Sequence, residues 1–221
     1  MLRAFQTVAA YQVEHGQIGL TKSGAWNRHC IDWVVRRMDF PNWTAEKLYS
    51  VNKVLDEYDV APLEYLRVLL TSLRLGRKMG GGWRLTKPGM TLVADPETAY
   101  ATIAPAFLFR FDHSEGRRLG EAPAGDWELW LHAINRMPQD GFTLPDLANL
   151  LYGPSAGGGW RSPAGGLFSA VAMPLEWVGL LTRTGKGSID EIVWCKTLLW
   201  AAALDFQRPK IATNVVPFPA R

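Results

Sequence analysis

Residues 61–89 read APLEYLRVLLTSLRLGRKMGGGWRLTKPG, and this stretch decides the fold class. Four leucines (Leu66, Leu69, Leu70 and Leu73) recur at the spacing of one helical face, and Pro62 stands where a helix start tolerates a missing N–H. This pattern predicts a helix over 62–75 that ends at Gly76. The residues from Arg77 to Thr86 then indicate a hairpin with a glycine tip. A helix followed directly by a hairpin is typical of a winged helix, in which the helix is the recognition helix and the hairpin is the wing.

The segment upstream adds the helices that such a module needs. We predict a helix over 2–14 and a second over 25–38, where Trp26, Cys30, Trp33, Val34 and Arg37 share one stripe. Capping residues at Asn42 and Thr44 predict a third helix that runs through Val54. Residues 56–59 are acidic and indicate a turn.

The segment downstream repeats this order after a polar connector that is rich in turn residues. We predict a helix from Trp127 to Ile134 and another that Thr143 caps. A glycine-rich loop over 153–163 precedes a third helix over 167–178, with a kink expected at Pro174. A second wing around 185–187 and a helix over 198–206 complete this part.

A short motif supports repeated architecture. Leu-Thr-basic-x-Gly occurs at 20–24, 85–89 and 181–185. The fold class predicted is mainly α with small β-hairpins, arranged as tandem winged-helix-like modules. The modules are 1–110, with extra N-terminal helices, and 127–206; residues 111–126 form the connector and residues 207–221 an extended tail.

Composition sets the broad class of protein. The chain has 221 residues, of which 48% are hydrophobic and 20% charged, and this is typical of a folded protein. The start of the sequence does not have the pattern of a signal peptide, and no run of apolar residues is long enough to span a bilayer. Two cysteines indicate no disulfide framework. We therefore expect a cytoplasmic protein without membrane contact.

Motifs for chemistry are missing from the sequence. The triple glycines are not followed by the Lys-Ser/Thr of a phosphate-binding loop, and no Gly-x-Ser-x-Gly elbow is present. The four histidines (His15, His29, His113 and His132) do not have metal-ligand spacing. The sequence therefore favours a protein that is not an enzyme and that uses neither a metal nor a small-molecule cofactor.

A basic run is the candidate site. Residues 1–110 hold 14 basic and 10 acidic residues, whereas residues 111–221 hold 10 and 11. The excess concentrates on the predicted recognition helix and wing, where positive side chains can neutralise phosphates. The candidate nucleic-acid-binding residues are Arg67, Arg74, Arg77, Lys78, Arg84 and Lys87. The leading hypothesis is a non-enzymatic regulator that binds DNA; a basic face that only keeps the protein soluble is the alternative interpretation of the same residues.

A second hypothesis comes from the ten tryptophans and the weak net charge of +3. Aromatic side chains often anchor protein interfaces. The chain would then be a protein-interaction module, such as a phage or plasmid inhibitor of a host complex that handles nucleic acid, and its partner would be that host protein complex.

Residues 18–100 also carry a family resemblance. Their order is Leu20 to Gly24, a helix pair, the acidic turn at 56–59, a leucine-rich helix, a basic hairpin and Leu85 to Gly89. This order resembles the C-terminal region of a family of uncharacterised plasmid- and mobile-element-borne proteins. The resemblance implies a mobile-element setting and a chain without that family's larger N-terminal part. It brings no catalytic residues.

Overall fold

Helices make up most of the structure, and small antiparallel sheets make up the rest, so the prediction of a mainly α fold is confirmed. The computed structural model describes residues 1–111, 113, 122–154, 159–185 and 187–206. Residues 112 and 114–121 of the predicted connector, Lys186 of the predicted second wing and the predicted tail 207–221 lie outside the described residues. The helices are α1 Leu2–His15, α2 Arg28–Val35, α3 Ala45–Val51, α4 Ala61–Ser72, α5 Lys87–Val93, α6 Pro96–Arg110, α7 Trp127–Arg136, α8 Leu144–Tyr152, α9 Pro163–Leu167, α10 Met173–Trp177 and α11 Leu198–Ala203, and the strands are β1 Ile18–Gly19, β2 Gly76–Met79, β3 Gly82–Leu85, β4 Leu181–Thr184 and β5 Val193–Lys196.

Helix α4 ends at Ser72, three residues before the predicted end at residue 75. Arg74 adopts a left-handed conformation with φ of 58°, and the N–H of Leu75 donates to the carbonyl of Leu70 at 2.8 Å, which closes the helix with a Schellman-type bond. Gly76 serves a different purpose. A Cβ there would lie 1.9 Å from the Trp83 ring, so glycine lets the indole pack against the backbone of β2.

The predicted hairpin is present, with strands over 76–79 and 82–85, and it belongs to a three-stranded sheet in the order β1-β3-β2. Met79 pairs with Gly82, and the two tip residues, Gly80 and Gly81, have φ of 55° and 81°, the backbone of a type I′ turn. Trp83 on β3 is fully buried, and its indole N–H donates to Thr71 on α4 at 3.1 Å. These contacts fix the hairpin against the helix.

The described residues of the second half (122–154, 159–185 and 187–206) repeat this pairing. Ile18 lies opposite Trp83 in the first sheet, and Phe142 forms an isolated bridge with Trp194, which pairs with Arg183 across β4–β5. The helix before β4 also closes like α4. Gly179 has φ of 84°, and the N–H of Leu180 donates to Leu175 at 2.9 Å.

The three Leu-Thr-basic-x-Gly copies occupy three different places. Residues 21–24 form the turn after β1, Thr86 caps α5 after β3, and 181–184 is strand β4 itself. The structural counterpart of Thr86 is Thr197, whose hydroxyl donates to Gly179 as that of Thr86 donates to Arg74. The strand pairing and the helix end therefore recur in the two halves, but the three copies of the Leu-Thr-basic-x-Gly motif do not occupy equivalent positions.

Several predicted bounds are wrong for local reasons. The helix predicted over 25–38 begins only at 28, because Asn27 caps it through Cys30 N–H. The helix predicted over 167–178 begins at Pro163 and contains a π-helical turn at Phe168–Ala172, so its irregularity precedes Pro174. Helices α5 and α6 were not predicted. Prolines stand in the first turn of each, and Pro105 lies inside α6, which hid the periodicity.

Trp177 on α10 joins the two halves. Its ring lies 5.6 to 6.4 Å from those of Phe40, Trp43, Tyr65 and Phe107, all in the first half. One apolar core runs through the described residues of both halves. The halves are thus packed on each other through aromatic side chains.

A polar contact accompanies this packing. The side-chain amide of Asn42 donates to Glu176 Oε1 at 2.9 Å, and Arg183 Nε lies 3.1 Å from the same oxygen. Glu176 is buried, and burial raises the pKa of its carboxyl although Arg183 and Asn42 oppose that change. The junction thus contains a buried carboxyl group that lies against the Arg183 guanidinium and the Asn42 amide.

Candidate nucleic-acid interface

Three of the six candidate residues line one cleft beside the hairpin. Arg74, Arg77 and Lys78 line a cleft of about 660 Å³, which we call the hairpin cleft. Its remaining lining residues are Thr71, Gly76, Thr86 and Pro88. The three basic side chains are exposed, and no acidic residue lines this cleft in the described part of the chain. The end of α4 sets the position of Arg74, and strand β2 sets that of the other two.

Clefts on either side extend this surface. Lys78 also lines a cleft of about 460 Å³ between residues 20–24 and the hairpin tip. Exposed Lys22 lies there, a basic residue that sequence reasoning quoted only as part of a turn motif. The signal that could have identified Lys22 is its place as the basic residue of the Leu-Thr-basic-x-Gly motif. Lys78, which lines the same cleft, is 56 positions away from Lys22 in the chain, and the pairing of β1 with β3 brings the two segments together.

Lys87 stands at the first turn of α5 and lines a neighbouring cleft of about 430 Å³. The two clefts share Pro88, so Lys87 continues the basic surface of the hairpin cleft. Asp95 also lines this neighbouring cleft. The positive potential there is therefore weaker than in the hairpin cleft.

Arg67 is not a free cation. Its Nε donates to both carboxylate oxygens of Glu57, at 2.8 and 2.9 Å, and the Glu57 side chain is fully buried. Burial raises the pKa of the Glu57 carboxyl, against the opposing effect of Arg67. Removing Arg67 would leave the buried carboxylate without its cation, which is costly. The structure thus gives Arg67 a role in holding the acidic turn against α4.

Arg84 is half-buried on β3, directly opposite Arg77. Its Nε is buried and has no hydrogen-bond partner among the described residues. Since cross-strand partners point to the same face of a sheet, Arg77 and Arg84 place two positive charges side by side. The structure therefore leaves Arg74, Arg77, Lys78 and Lys87 as the exposed members of the candidate set.

The equivalent surface of the second half is closed. Arg183 occupies the position opposite Trp194 that Lys78 occupies opposite Trp83. Its side chain is 15% exposed, pairs with Glu176 and lies over the rings of Phe168 and Trp194. One backbone arrangement thus carries an open basic cleft in one half and an internal ion pair in the other.

The tryptophans that suggested a protein partner mostly pack inside. Six of the ten are buried and three are half-buried (Trp33, Trp43 and Trp127); Trp160, 36% exposed, is the remaining one. The tryptophan excess is therefore explained by the core and by the junction between halves. This removes the main argument for aromatic anchors at the surface.

Other features bear on the chemistry of the chain. The described residues contain no group of three or more His, Cys, Asp or Glu side chains placed to hold a metal ion. Within the same residues, no helix is long and apolar enough to cross a membrane. Cys30 is buried, and burial raises the pKa of its thiol.

Comparison with known proteins places the chain in a family. Residues 1–98 match the model of the Y4jL N-terminal domain, and residues 117–198 match that of the y4jL C-terminal domain. "Uncharacterized protein y4jL" of Sinorhizobium fredii (strain NBRC 101917 / NGR234) is 35% identical over 153 residues, which cover 69% of this chain and 70% of the relative. This chain belongs to the y4jL family. No solved structure matches it.

Membership of the y4jL family revises the resemblance drawn from the sequence. The chain matches both the N-terminal and the C-terminal domain of the family, so the expectation that it corresponds to a C-terminal region alone is not supported. The family names say nothing of a plasmid or mobile element, and that setting stays a prediction.

Proposed function

We propose that this y4jL-family chain is a non-enzymatic nucleic-acid-binding protein whose first half contacts DNA phosphates through the β2–β3 hairpin and its flanks. The observation that carries the proposal is that Arg74, Arg77 and Lys78 all line the hairpin cleft, which has no acidic lining residue in the described structure. Basic side chains that share one surface supply the sequence-independent part of DNA affinity.

The connectivity of the first half supports the same proposal. Strand β1 lies between α1 and the later helices, α4 immediately precedes the hairpin, and the sheet order is β1-β3-β2. We interpret this as a winged-helix-like module in which α4 takes the place of the recognition helix and the hairpin that of the wing. The second half would be a related module whose equivalent surface is used for internal packing.

Charge reversal tests this proposal. We expect a triple variant with Arg74, Arg77 and Lys78 changed to Glu to lose binding to a labelled DNA duplex in fluorescence anisotropy. The matched control reverses Arg110, Arg136 and Arg161, which are exposed, line none of the three clefts and give the same change in net charge. The control should keep most of the affinity because it leaves the hairpin cleft intact.

A salt titration of the wild type adds a quantitative check. The logarithm of the binding constant should fall linearly with that of the salt concentration, at about −0.9 per phosphate neutralised. Three to four contacts therefore give a slope of roughly −3 to −4. Equal loss of binding in both triple variants, or a wild type that binds no duplex at about 50 mM salt, would contradict the proposal.

A further inference from the structure

The hairpin cleft and the two clefts beside it, which we call the hairpin surface, lack aromatic side chains in the described structure, and this bears on the kind of nucleic acid that they fit. This inference rests on the proposed function and goes beyond it. Proteins that hold single strands stack successive bases on aromatic rings. In the described structure, no aromatic residue lines the hairpin cleft or either of the two clefts beside it. Trp26 and Trp83, the indoles nearest in the sheet region, are buried against each other with ring centroids 5.0 Å apart.

One exposed ring lies near the edge of this surface. The hydroxyl of Tyr58 reaches Ser23 at 3.5 Å, beside the cleft that Lys22 and Lys78 line. Its side chain is 59% exposed, so it could stack on one base. A single ring does not make a platform for successive bases, but it provides a variant that separates the two kinds of ligand.

Helix α4 is also poorly equipped to read base edges. Direct readout in the major groove depends on long side chains such as Arg, Asn and Gln that make paired hydrogen bonds. On α4 the guanidinium of Arg67 is held by Glu57, and the hydroxyls of Thr71 and Ser72 donate to backbone carbonyls of their own helix. The exposed position between them is Val68, 42% exposed, which has no hydrogen-bonding group.

The hairpin, in contrast, suits contact with a duplex backbone. Its tip residues, Gly80 and Gly81, have open space where side chains would stand, with no described atom within 4 Å of either Cβ position. Exposed basic residues flank this narrow tip on both sides. A narrow tip of this kind can approach a groove of the duplex. The basic side chains on either side of the tip can then contact the phosphates that border the groove.

We infer that this surface binds double-stranded DNA through its sugar–phosphate backbone and does not read base sequence. The affinity then depends on the spacing of phosphates in the duplex and hardly on which bases it contains. A single strand lacks that spacing and finds no stacking surface here.

The test uses the full chain and three labelled probes in fluorescence anisotropy at low salt. The probes are two duplexes of about 20 base pairs, roughly two helical turns, one A·T-rich and one of mixed sequence, and one strand of the mixed duplex alone. We expect the two duplexes to bind within about threefold of each other and the single strand about tenfold more weakly. Tyr58→Ala should leave the duplex affinity unchanged.

The outcomes separate this inference from the proposal beneath it. A single strand that binds as tightly as the duplexes, or a loss of affinity in Tyr58→Ala, would overturn the duplex assignment while the nucleic-acid proposal stands. A preference of more than about tenfold between the duplexes would show base or shape readout and overturn the sequence-neutral part. No binding to any probe defeats the proposed function itself, and this inference with it.

Discussion

Arg74 is an uncommon choice for the place it occupies. It is one of three described residues other than glycine with positive φ, and its backbone closes α4 where glycine is the usual residue. The equivalent position in the second half is Gly179, with φ of 84°. A side chain in the left-handed region costs about 1 kcal/mol or more. The difference between the halves fits a role for the Arg74 side chain in the hairpin cleft.

Substitutions at these two positions should change stability in opposite directions. Arg74→Gly should leave the free energy of unfolding unchanged or raise it by up to about 1 kcal/mol, because relief of left-handed strain offsets the added freedom of the unfolded chain. Gly179→Ala should lower it by about 1 kcal/mol. Urea denaturation measures both. Clear destabilisation by Arg74→Gly would show that the Arg74 side chain stabilises the fold and would remove this argument for a binding role.

At the scale of elements, the type I′ turn of the hairpin requires positive φ at both tip residues, and this requirement can be tested at each position. Gly80→Asn should change the free energy of unfolding by less than about 0.5 kcal/mol, because Asn-Gly is a preferred type I′ pair. Gly81→Val should lower it by about 1 to 2 kcal/mol, because a β-branched residue resists positive φ. Both positions are sterically open, so the contrast isolates the backbone. Thermal denaturation of the two variants checks this, and equal effects would contradict the turn type.

What the sequence could predict depends on whether a signal is local. The leucine stripe of α4 and the triple-glycine tip are local, and both the helix and the hairpin are present, although the helix ends earlier than predicted. The pairing of Arg67 with Glu57, ten positions away, depends on how the acidic turn folds back on α4, and composition could not reveal it. The same limit applies to Arg183, because nothing in the local sequence indicates its ion pair with Glu176.

At the scale of the whole molecule, the contact between the two halves covers the surface beside β4 and leaves the surface beside β2 exposed. Asn42, with φ of 63°, directs its amide to Glu176, and Trp177 beside it fills the aromatic junction with the first half. The surface next to β4 is therefore occupied from within the chain. The corresponding surface next to β2 remains open, and there the described residues Arg74, Arg77 and Lys78 line the hairpin cleft.

The charge buried at the junction should be visible in the pH dependence of stability. Burial raises the pKa of Glu176 above its ordinary value of 4.5, so the folded state holds the proton more tightly than the unfolded state. Stability from this group is present below that ordinary value and is lost as pH rises through the raised pKa.

Glu176→Gln removes this dependence. We compare the variant with the wild type by subtracting the wild type's free energy of unfolding from the variant's. This difference should rise as pH increases from 4.5, because the wild type loses stability, and should then level off. The rise is expected even though Arg183 loses its partner in the variant. Urea unfolding in steps from about pH 4.5 to 7.5 measures the difference. Exposed Glu128→Gln, the matched control, should show little change across the series. If the difference becomes less favourable with rising pH, pairing with Arg183 outweighs burial, and the carboxylate holds the two halves together by its charge.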